Sequence, residues 1–303
     1  MYDVAIIGSG PAGLTAAIYT SRAKLKTVIL EKLVVGGQVT TTYEVENYPG
    51  FVEPVNGFLL MNNFERQAKR FGAKIVTGVE VESISKNNEV FNIETNKGQY
   101  QSKAVIIATG AKFRKVGIPG EETYTGKGVS YCATCDGAFF KEKIVAVIGG
   151  GNSALEEALF LTKFVKKVYL IHRRTEFRAD KVIQEKVLSN EKIEPVLNYL
   201  PIEIKGDNEV KEIVIEEKTT GERRSLSVNG VFVFIGLTPN SEFLKGIVKT
   251  DDNGYILTDA SLETNVNGIF AAGDVLKKEL RQIATAVGDG ALVSNSVKKY
   301  LEI

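Results

Sequence analysis

The sequence predicts an α/β protein with two domains. Two observations lead to this fold class: a glycine-rich turn between an apolar strand and a helix occurs twice, at residues 8–13 and 149–154, and a third apolar strand ends at Gly273-Asp274. The chain has 303 residues, 44% of them hydrophobic, which is sufficient for more than one buried core.

Charge and hydropathy exclude several classes of partner. Lys and Arg number 38 against 37 Asp and Glu, so no overall field holds nucleic acid or an anionic membrane. No apolar run approaches the length of a membrane span, and residues 1–7 lack the basic leader of a signal peptide. We expect a cytoplasmic protein that binds neither nucleic acid nor a membrane.

The first glycine turn predicts a dinucleotide site in a Rossmann-like domain. Residues 3–7 form an apolar strand and residues 14–22 a helical pattern, so the turn between them places backbone N–H groups at a helix N-terminus, where a pyrophosphate binds. A second strand ends at Glu31, at the spacing of a carboxylate that accepts hydrogen bonds from a ribose. The alternative for Glu31 is a solvated loop charge. The turn residues are Gly8, Ser9, Gly10, Pro11, Ala12 and Gly13.

The second glycine turn repeats this pattern but is followed by different chemistry. Its predicted ligand-binding residues are Gly149, Gly151, Asn152, Ser153 and Ala154. The next strand, 167–171, is followed by His172, Arg173, Arg174 and Arg178. Guanidinium groups bind a 2′-phosphate that a carboxylate would repel, so the pattern favours NADPH over NADH. The alternative is a solvated basic loop.

The C-terminal region indicates that the first domain is discontinuous. Gly273 permits close approach of a ligand, and Asp274 can accept from a sugar or polyol hydroxyl. Residues 281–286 open the last helix, whose N-terminus would favour negative charge on a reduced flavin. If this region and residues 8–13 serve one cofactor, the domains are 1–113 with 242–303, and an inserted 114–241. Alternating residues near 212–216 predict antiparallel strands covering the inserted domain.

Both cysteines of the chain, Cys132 and Cys135, lie in the segment YCATCDG. In a reducing compartment such a pair is seldom a structural staple, and structural zinc needs four ligands, whereas the chain has a single histidine. The alternatives are a buried thiol pair and half of a metal site; the pattern favours redox chemistry without a metal. Asp136 is the predicted acid for the departing thiolate, and its alternative role is to cap the following helix.

Four motifs together resemble the bacterial low-molecular-weight thioredoxin reductases. They are residues 8–13, Gly36-Gly37-Gln38 with residues 44–50, residues 132–137, and residues 172–174 with Arg178. The cysteine motif is the specific one, because the glycine turns occur in many flavoproteins. The resemblance runs from the first strand to Gln282.

This resemblance implies an NADPH-binding domain inserted into a discontinuous FAD-binding domain, both Rossmann-like three-layer nucleotide-binding domains. It implies a homodimer that reduces thioredoxin, with Cys135 next to the flavin and Cys132 attacking thioredoxin. It also implies rotation of the inserted domain, which is expected independently because the dithiol and the NADPH site share one domain and must reach one flavin. The further FAD residues are Lys32, Gly36, Gly37, Gln38, Asn47, Val81, Ala108, Thr109, Gly110, Arg281, Gln282 and Ile283.

Two other functions remain open from the sequence. The first is an NADPH-dependent flavoprotein that reduces a glutaredoxin-like protein or a peroxidase; hydroperoxide reductases of this family carry an additional N-terminal thioredoxin-like region, which this sequence lacks. The second is a flavin redox sensor or a ferredoxin-linked flavoprotein, in which the cysteine pair regulates a conformational state.

Overall fold

The computed structural model describes residues 1–42, 45 and 47–302, without the side chains of Thr41, Thr134 and Cys135. Glu44 and Glu46 of the second motif therefore lie outside the described residues. The chain divides into two compact units. The first comprises Met1–Lys112 and Thr238–Ile303, and the second Phe113–Leu237.

Seventeen strands and six α-helices are assigned within the described residues. The strands are β1 (Tyr2–Ile7), β2 (Thr27–Glu31), β3 (Lys74–Thr77), β4 (Val81–Asn87), β5 (Val90–Thr95), β6 (Gly98–Ile107), β7 (Ala111–Phe113), β8 (Val129–Ser130), β9 (Ile144–Gly149), β10 (Lys167–His172), β11 (Ile193–Leu197), β12 (Tyr199–Gly206), β13 (Val210–Glu217), β14 (Arg223–Ser227), β15 (Gly230–Phe234), β16 (Leu237–Pro239) and β17 (Ile269–Ala271). The helices are α1 (Pro11–Arg22), α2 (Gly57–Arg70), α3 (Ala133–Asp136), α4 (Asn152–Leu161), α5 (Lys181–Leu188) and α6 (Ile283–Tyr300). Short 3₁₀ turns cover Gly37–Thr41, Gly137–Phe140, Glu242–Leu244 and Gly273–Val275.

The first unit is built on a sheet with the order β3-β2-β1-β6-β5-β4, and β17 pairs with β6. β1 is parallel to both β2 and β6, so their carboxyl ends meet at one edge of the sheet, beside the first glycine turn. On one face, α1 and α6 pack together and bury Leu14 and Val293 against Ile6 and Ile29. The other face is covered by residues 244–256. Two buried faces explain why β1 and β2 are continuous apolar runs.

The second unit has a parallel sheet with the order β11-β10-β9-β15-β8. One face packs against α4, whose Leu155 and Leu161 are buried with Val147. The other face is covered by the antiparallel sheet β12-β13-β14, through residues such as Ile213 and Ile215. This antiparallel sheet is where the alternating pattern predicts it. Helix α4 follows the second glycine turn directly and ends at Leu161.

The chain passes between the two units twice, through β7 and β16, and these two strands pair with each other. Each is preceded by a glycine in the left-handed region, Gly110 with φ 64° and Gly236 with φ 107°. Glycine adopts this conformation without the steric cost of a side chain. Both crossings therefore begin at a position where the backbone is least restricted.

Candidate functional site

The first glycine turn is closed on its inner side and open at the helix N-terminus. A Cβ on Gly8 would lie 2.4 Å from the carbonyl oxygen of Ala108, and a Cβ on Gly13 would lie 2.0 Å from that of Gly8. Gly10 caps the N-terminus of α1, and a Cβ there meets no described atom within 4 Å. Gly8 and Gly13 are required for backbone packing, whereas Gly10 leaves space beside free N–H groups. This arrangement fits a pyrophosphate.

The carboxylate of Glu31 is fixed next to this turn. Its Oε2 accepts from the backbone N–H of Ser9 at 2.9 Å and from the Ser9 hydroxyl at 2.6 Å, while Oε1 accepts from the N–H of Leu33 at 2.8 Å. The next residue, Lys32, is exposed and ion-paired with Glu80 at 2.6 Å. Val81, another predicted site residue, begins β4 and is 9% exposed. The structure thus brings Glu31 to the edge of the turn, with lone pairs remaining for a hydroxyl donor.

Asp274 is a half-buried carboxylate in the 3₁₀ turn that follows β17. Its Oδ1 is buried and has no hydrogen-bond partner among the described residues, although Lys278 Nζ lies 3.8 Å away. Burial raises the pKa of Asp274, and the charges of Lys278 and Arg281 oppose this rise. A buried oxygen without a partner is costly unless a donor completes it. A hydroxyl group of a bound FAD is a donor of the required kind.

Helix α6 begins at Ile283, as expected for a helix N-terminus at this site. Gln282 is its N-cap and forms a capping box with Thr285, and the Gln282 Oε1 accepts from Asn47 Nδ2 at 3.1 Å. The Arg281 guanidinium donates to the Leu276 carbonyl at 3.2 Å. Asn47, Arg281, Gln282 and Ile283 are therefore brought together from distant parts of the sequence.

The remaining predicted FAD residues lie near the first crossing. The Gln38 side-chain amide donates to the Ala111 carbonyl. Thr109 and Asn240 form a reciprocal pair, with Thr109 Oγ1 donating to the Asn240 carbonyl at 2.7 Å and Asn240 Nδ2 donating to the Thr109 carbonyl at 2.9 Å. Gly36 (φ 110°) and Gly37 (φ 62°) lie in the left-handed region. A Cβ on Gly37 would lie 3.3 Å from the Cα of Gly10, so the two glycine segments lie side by side.

Sequence reasoning missed Asp289. Its carboxylate accepts from the N–H of Gly273 at 2.9 Å and from Lys278 Nζ at 2.7 Å, and it thereby supports the segment that carries Asp274. The glycines on both sides of Asp289, inside a predicted helix, were the available signal.

The second glycine turn has the same closed and open sides. A Cβ on Gly149 would lie 2.4 Å from the Phe234 carbonyl oxygen. Gly151 caps the N-terminus of α4, and within the described part of the chain no atom lies within 4 Å of a Cβ placed there. Asn152 and Asp180 form a reciprocal pair, each bond 2.8 Å long, so the Asn152 side chain is already engaged. A bound phosphate would therefore meet the backbone of this turn, next to the exposed Ser153.

β10 ends with the buried ring of His172, and the arginines that follow it are exposed. His172 lies beneath the turn, where a Cβ on Gly150 would come within 2.2 Å of its Nδ1, and it stacks on Phe177 at 5.7 Å. Burial lowers the pKa of His172, and the charge of Arg178 lowers it further. Arg173, Arg174 and Arg178 are exposed and, among the described residues, are not ion-paired with any carboxylate. They are therefore available to an anionic group.

The cysteine segment lies in the second unit, where Cys132 precedes α3 and Cys135 lies within it. Cys132 is disulfide-bonded, and the chain has one other cysteine, Cys135. The Cys132 N–H donates to Ser130 Oγ at 3.0 Å, and its carbonyl accepts from the N–H of Asp136 at 3.2 Å. In the described residues the Asp136 side chain makes no capping bond to the following 3₁₀ turn, so its alternative role as a cap is not formed.

A second carboxyl that sequence reasoning missed is Glu157 in α4. Burial, and secondarily the charge of Glu156, raises its pKa to about 7, and its Oε2 has no hydrogen-bond partner in the described structure. The signal was its position on the helix face that also carries the buried Ala154, Ala158 and Leu161.

The described residues form neither a metal-binding cluster nor a membrane-spanning helix. No group of three or more His, Cys, Asp or Glu side chains is arranged to hold a metal ion. No helix in the same residues has the length and apolar character that crossing a membrane requires.

Comparison with known proteins identifies the family. The model of the pyridine nucleotide-disulphide oxidoreductases matches residues 2–290. The chain belongs to this family. This pyridine nucleotide-disulphide oxidoreductase is 48% identical over 308 residues to the thioredoxin reductase of Peptoclostridium litorale, covering 100% of this chain and 98% of that relative. It is 45% identical over 303 residues to the thioredoxin reductase of Bacillus subtilis, covering 100% and 95%.

The structural comparison agrees with the sequence comparison. The crystal structure of Lactococcus lactis thioredoxin reductase matches with a TM-score of 0.86 and 45% identity, and 100% of each chain is covered. The resemblance inferred from the four motifs is confirmed, as are the α/β fold with Rossmann-like domains, the oxidoreductase class and the cofactors FAD and NADPH.

Proposed function

We propose that this protein is a thioredoxin reductase, which transfers electrons from NADPH through FAD and the Cys132–Cys135 disulfide to the disulfide of thioredoxin. The observation that carries the proposal is the disulfide-bonded Cys132 in the same compact unit as the second glycine turn. The disulfide and the NADPH site must reach the same flavin in turn. A single domain movement can bring first one and then the other to the flavin only if both lie in the domain that moves. The relatives with matching length are themselves named thioredoxin reductases.

FAD binds the discontinuous domain 1–113 with 242–303. When bound, it supplies the chemistry that converts a hydride from NADPH into an electron pair for a disulfide. The open N-terminus of α1 holds the pyrophosphate, and Glu31 accepts from the adenosine ribose. Asp274 accepts from a hydroxyl of the ribityl chain, and the N-terminus of α6 favours negative charge on the reduced ring.

NADPH binds the inserted domain 114–241. The open turn at Gly151 holds its pyrophosphate, and Arg173, Arg174 and Arg178 bind the 2′-phosphate. Support comes from the exposure of these three arginines, which form no ion pair with a carboxylate among the described residues. The buried His172 positions the turn from below through its contact with Gly150.

The two cysteines have different roles. In the reduced enzyme, the Cys132 thiolate attacks one sulfur of the thioredoxin disulfide, forming a mixed disulfide and releasing one thioredoxin thiolate. Cys135 then attacks Cys132, which restores the enzyme disulfide and releases the second thioredoxin thiolate; two electrons leave the enzyme, and two protons complete the thioredoxin dithiol. Asp136 supplies a proton to the departing thiolate.

The domains rotate between two arrangements during the cycle, and the dihedral change is taken up at the crossings that begin with Gly110 and Gly236. The enzyme is a cytoplasmic homodimer. Large apolar side chains in the first unit support an interface: Val52 is 99% exposed, and Phe58 and Leu59 are 52% and 55% exposed.

An anaerobic titration of the purified protein with NADPH, followed by addition of thioredoxin, tests the proposal. We expect the flavin absorbance to bleach with NADPH and to return when thioredoxin is added. A glutaredoxin-like protein and a peroxidase serve as alternative acceptors. A protein that binds no flavin, or that transfers electrons to an alternative acceptor and not to thioredoxin, contradicts the proposal.

A further inference from the structure

Glu121 is the most deeply buried carboxylate assigned no role so far, with 1% of its surface exposed. Its Oε1 accepts from the N–H of Val116 at 3.0 Å and from the hydroxyl of Tyr131 at 2.8 Å. Its Oε2 accepts from the N–H of Gly117 at 2.7 Å. All these residues lie in the unit Phe113–Leu237. The carboxylate thus joins two segments, the one that follows the first crossing and the one that enters the cysteine turn.

Tyr131 connects this carboxylate to the disulfide, because it directly precedes Cys132. Its ring stacks on Phe113, the last residue of β7, with centroids 5.9 Å apart and planes 21° apart. Burial, and then the bond to Glu121, raises the pKa of Tyr131, so its hydroxyl remains a donor. Tyr131 is therefore held at both ends, by the ring of Phe113 and by the carboxylate of Glu121.

The hydrogen bonds in this cluster are of the strong kind. A carboxylate that accepts from several donors forms charge-assisted bonds, and a buried charge that loses one donor is left incompletely solvated. Among the described residues Glu121 forms no ion pair, and the nearby Lys115 is exposed and pairs with Glu122 at 2.6 Å. Hydrogen bonds within the unit, and not an ion pair, therefore keep Glu121 in place.

We propose that Glu121 is a positioning residue for thiol–disulfide exchange, which acts by holding Tyr131, and through it Cys132, in fixed register with the segment 113–117. This inference rests on the proposed function in one respect, namely that Cys132 exchanges with thioredoxin. Exchange requires the attacking sulfur to lie in line with the disulfide it attacks, so a small displacement of Cys132 slows the reaction. Because segment 113–117 begins at the last residue of β7, Glu121 and Tyr131 link the cysteine turn to the end of the first crossing.

Tyr131→Phe tests this positioning directly, since it removes the hydroxyl and keeps the ring that stacks on Phe113. The matched control is Tyr124→Phe. Tyr124 lies in the same unit and its hydroxyl donates to the Gly206 carbonyl at 2.6 Å, so this variant loses one hydroxyl bond that does not connect to the cysteine turn. Both variants are compared with the parent holoenzyme in three measurements: the rate of flavin bleaching by NADPH, the kcat and KM for thioredoxin, and the redox equilibrium of the disulfide in dithiothreitol buffers, read by thiol trapping.

For Tyr131→Phe we expect the kcat for thioredoxin to fall about tenfold, the size of effect expected from the loss of one bond to a buried carboxylate, while the rate of flavin bleaching by NADPH is unchanged. The redox equilibrium of the Cys132–Cys135 disulfide in dithiothreitol buffers also differs from that of the parent in this variant. Tyr124→Phe leaves all three measurements at the parent values. Glu121→Gln keeps the shape of the side chain but replaces one accepting oxygen by an NH₂ group, which then faces an N–H or O–H donor. We therefore expect a larger fall in the kcat for thioredoxin than in Tyr131→Phe, and the two effects are not additive in the double variant.

Equal behaviour of Tyr131→Phe and Tyr124→Phe in every measurement overturns the inference, and so does a parallel fall in flavin bleaching and thioredoxin turnover, which indicates a general loss of structure. If the parent enzyme does not reduce thioredoxin, the proposed function fails. In that case the thiol-trapping equilibrium still decides the inference, because it needs neither thioredoxin nor NADPH: a shift in Tyr131→Phe alone supports it, and no shift overturns it.

Discussion

Substitution of Gly10 is expected to weaken cofactor binding without affecting folding. It has φ −68° and ψ −174°, which an alanine adopts without strain, and a Cβ there meets no atom within 4 Å among the described residues. We therefore expect Gly10→Ala to fold normally and to bind FAD poorly, because the added methyl group occupies the space where the pyrophosphate approaches the α1 N-terminus.

The two effects differ in size. An alanine in place of glycine at an N-cap costs about 0.5–1 kcal/mol of helix stability, and restriction of the unfolded chain offsets it by about 0.4–1 kcal/mol, so stability changes little. Loss of two backbone hydrogen bonds to a charged phosphate costs about 3 kcal/mol, or roughly a hundredfold in Kd. The assays are thermal unfolding of the apoprotein and titration of that apoprotein with FAD.

Gly151→Ala is the matched control, since Gly151 caps α4 with φ −98° and has the same open space in the described structure. We expect this variant to retain FAD and to bind NADPH about a hundredfold more weakly, by the same loss of phosphate bonds. Normal FAD binding by Gly10→Ala, or equal loss of both cofactors in both variants, would refute the assignment of one nucleotide to each turn.

Three further predictions concern the cysteines, the arginines and Glu157. In Cys135→Ser, NADPH still bleaches the flavin and thioredoxin reduction is abolished, and undiminished turnover would remove the disulfide from the mechanism. Arg173→Ala combined with Arg174→Ala raises the KM for NADPH at least about tenfold by loss of charge-assisted bonds, with NADH little changed; equal losses would show that these arginines do not bind the 2′-phosphate. Glu157 has a folded pKa of about 7 against an ordinary value of 4.5, so the folded state binds more protons than the unfolded state in this window and loses stability as pH rises through it. Thermal unfolding should therefore show Glu157→Gln gaining stability relative to the parent from pH 4 to pH 8, and a difference independent of pH would contradict the buried position of this carboxyl.

The sequence predicts the fold well where the signal is local. The strands β1 and β9, the turns that follow them and the start of α6 depend on residues close together in the chain, and glycine spacing with apolar runs identifies them. Glu121 could not be identified in this way. It stands in a polar loop beside Glu122, which is exposed, and its burial depends on Tyr131, ten residues later, and on backbone groups of the crossing. Nothing in the local pattern distinguishes the two glutamates.

The two glycine turns also show why a shared motif does not determine its ligand. Backbone packing requires Gly8 and Gly13 in the first turn and Gly149 in the second, and the open capping glycine is equivalent in both. The difference lies at the end of the next strand. After β2, Glu31 is drawn back to the turn by Ser9, which places a carboxylate at the edge of the site. After β10, the ring of His172 fills the corresponding place beneath Gly150, and the arginines that follow it lie on the surface as free cations in the described structure. We therefore expect discrimination between the two nucleotides to depend on how the second strand ends, so that exchanging these strand ends, and not the glycine turns, exchanges the preferences.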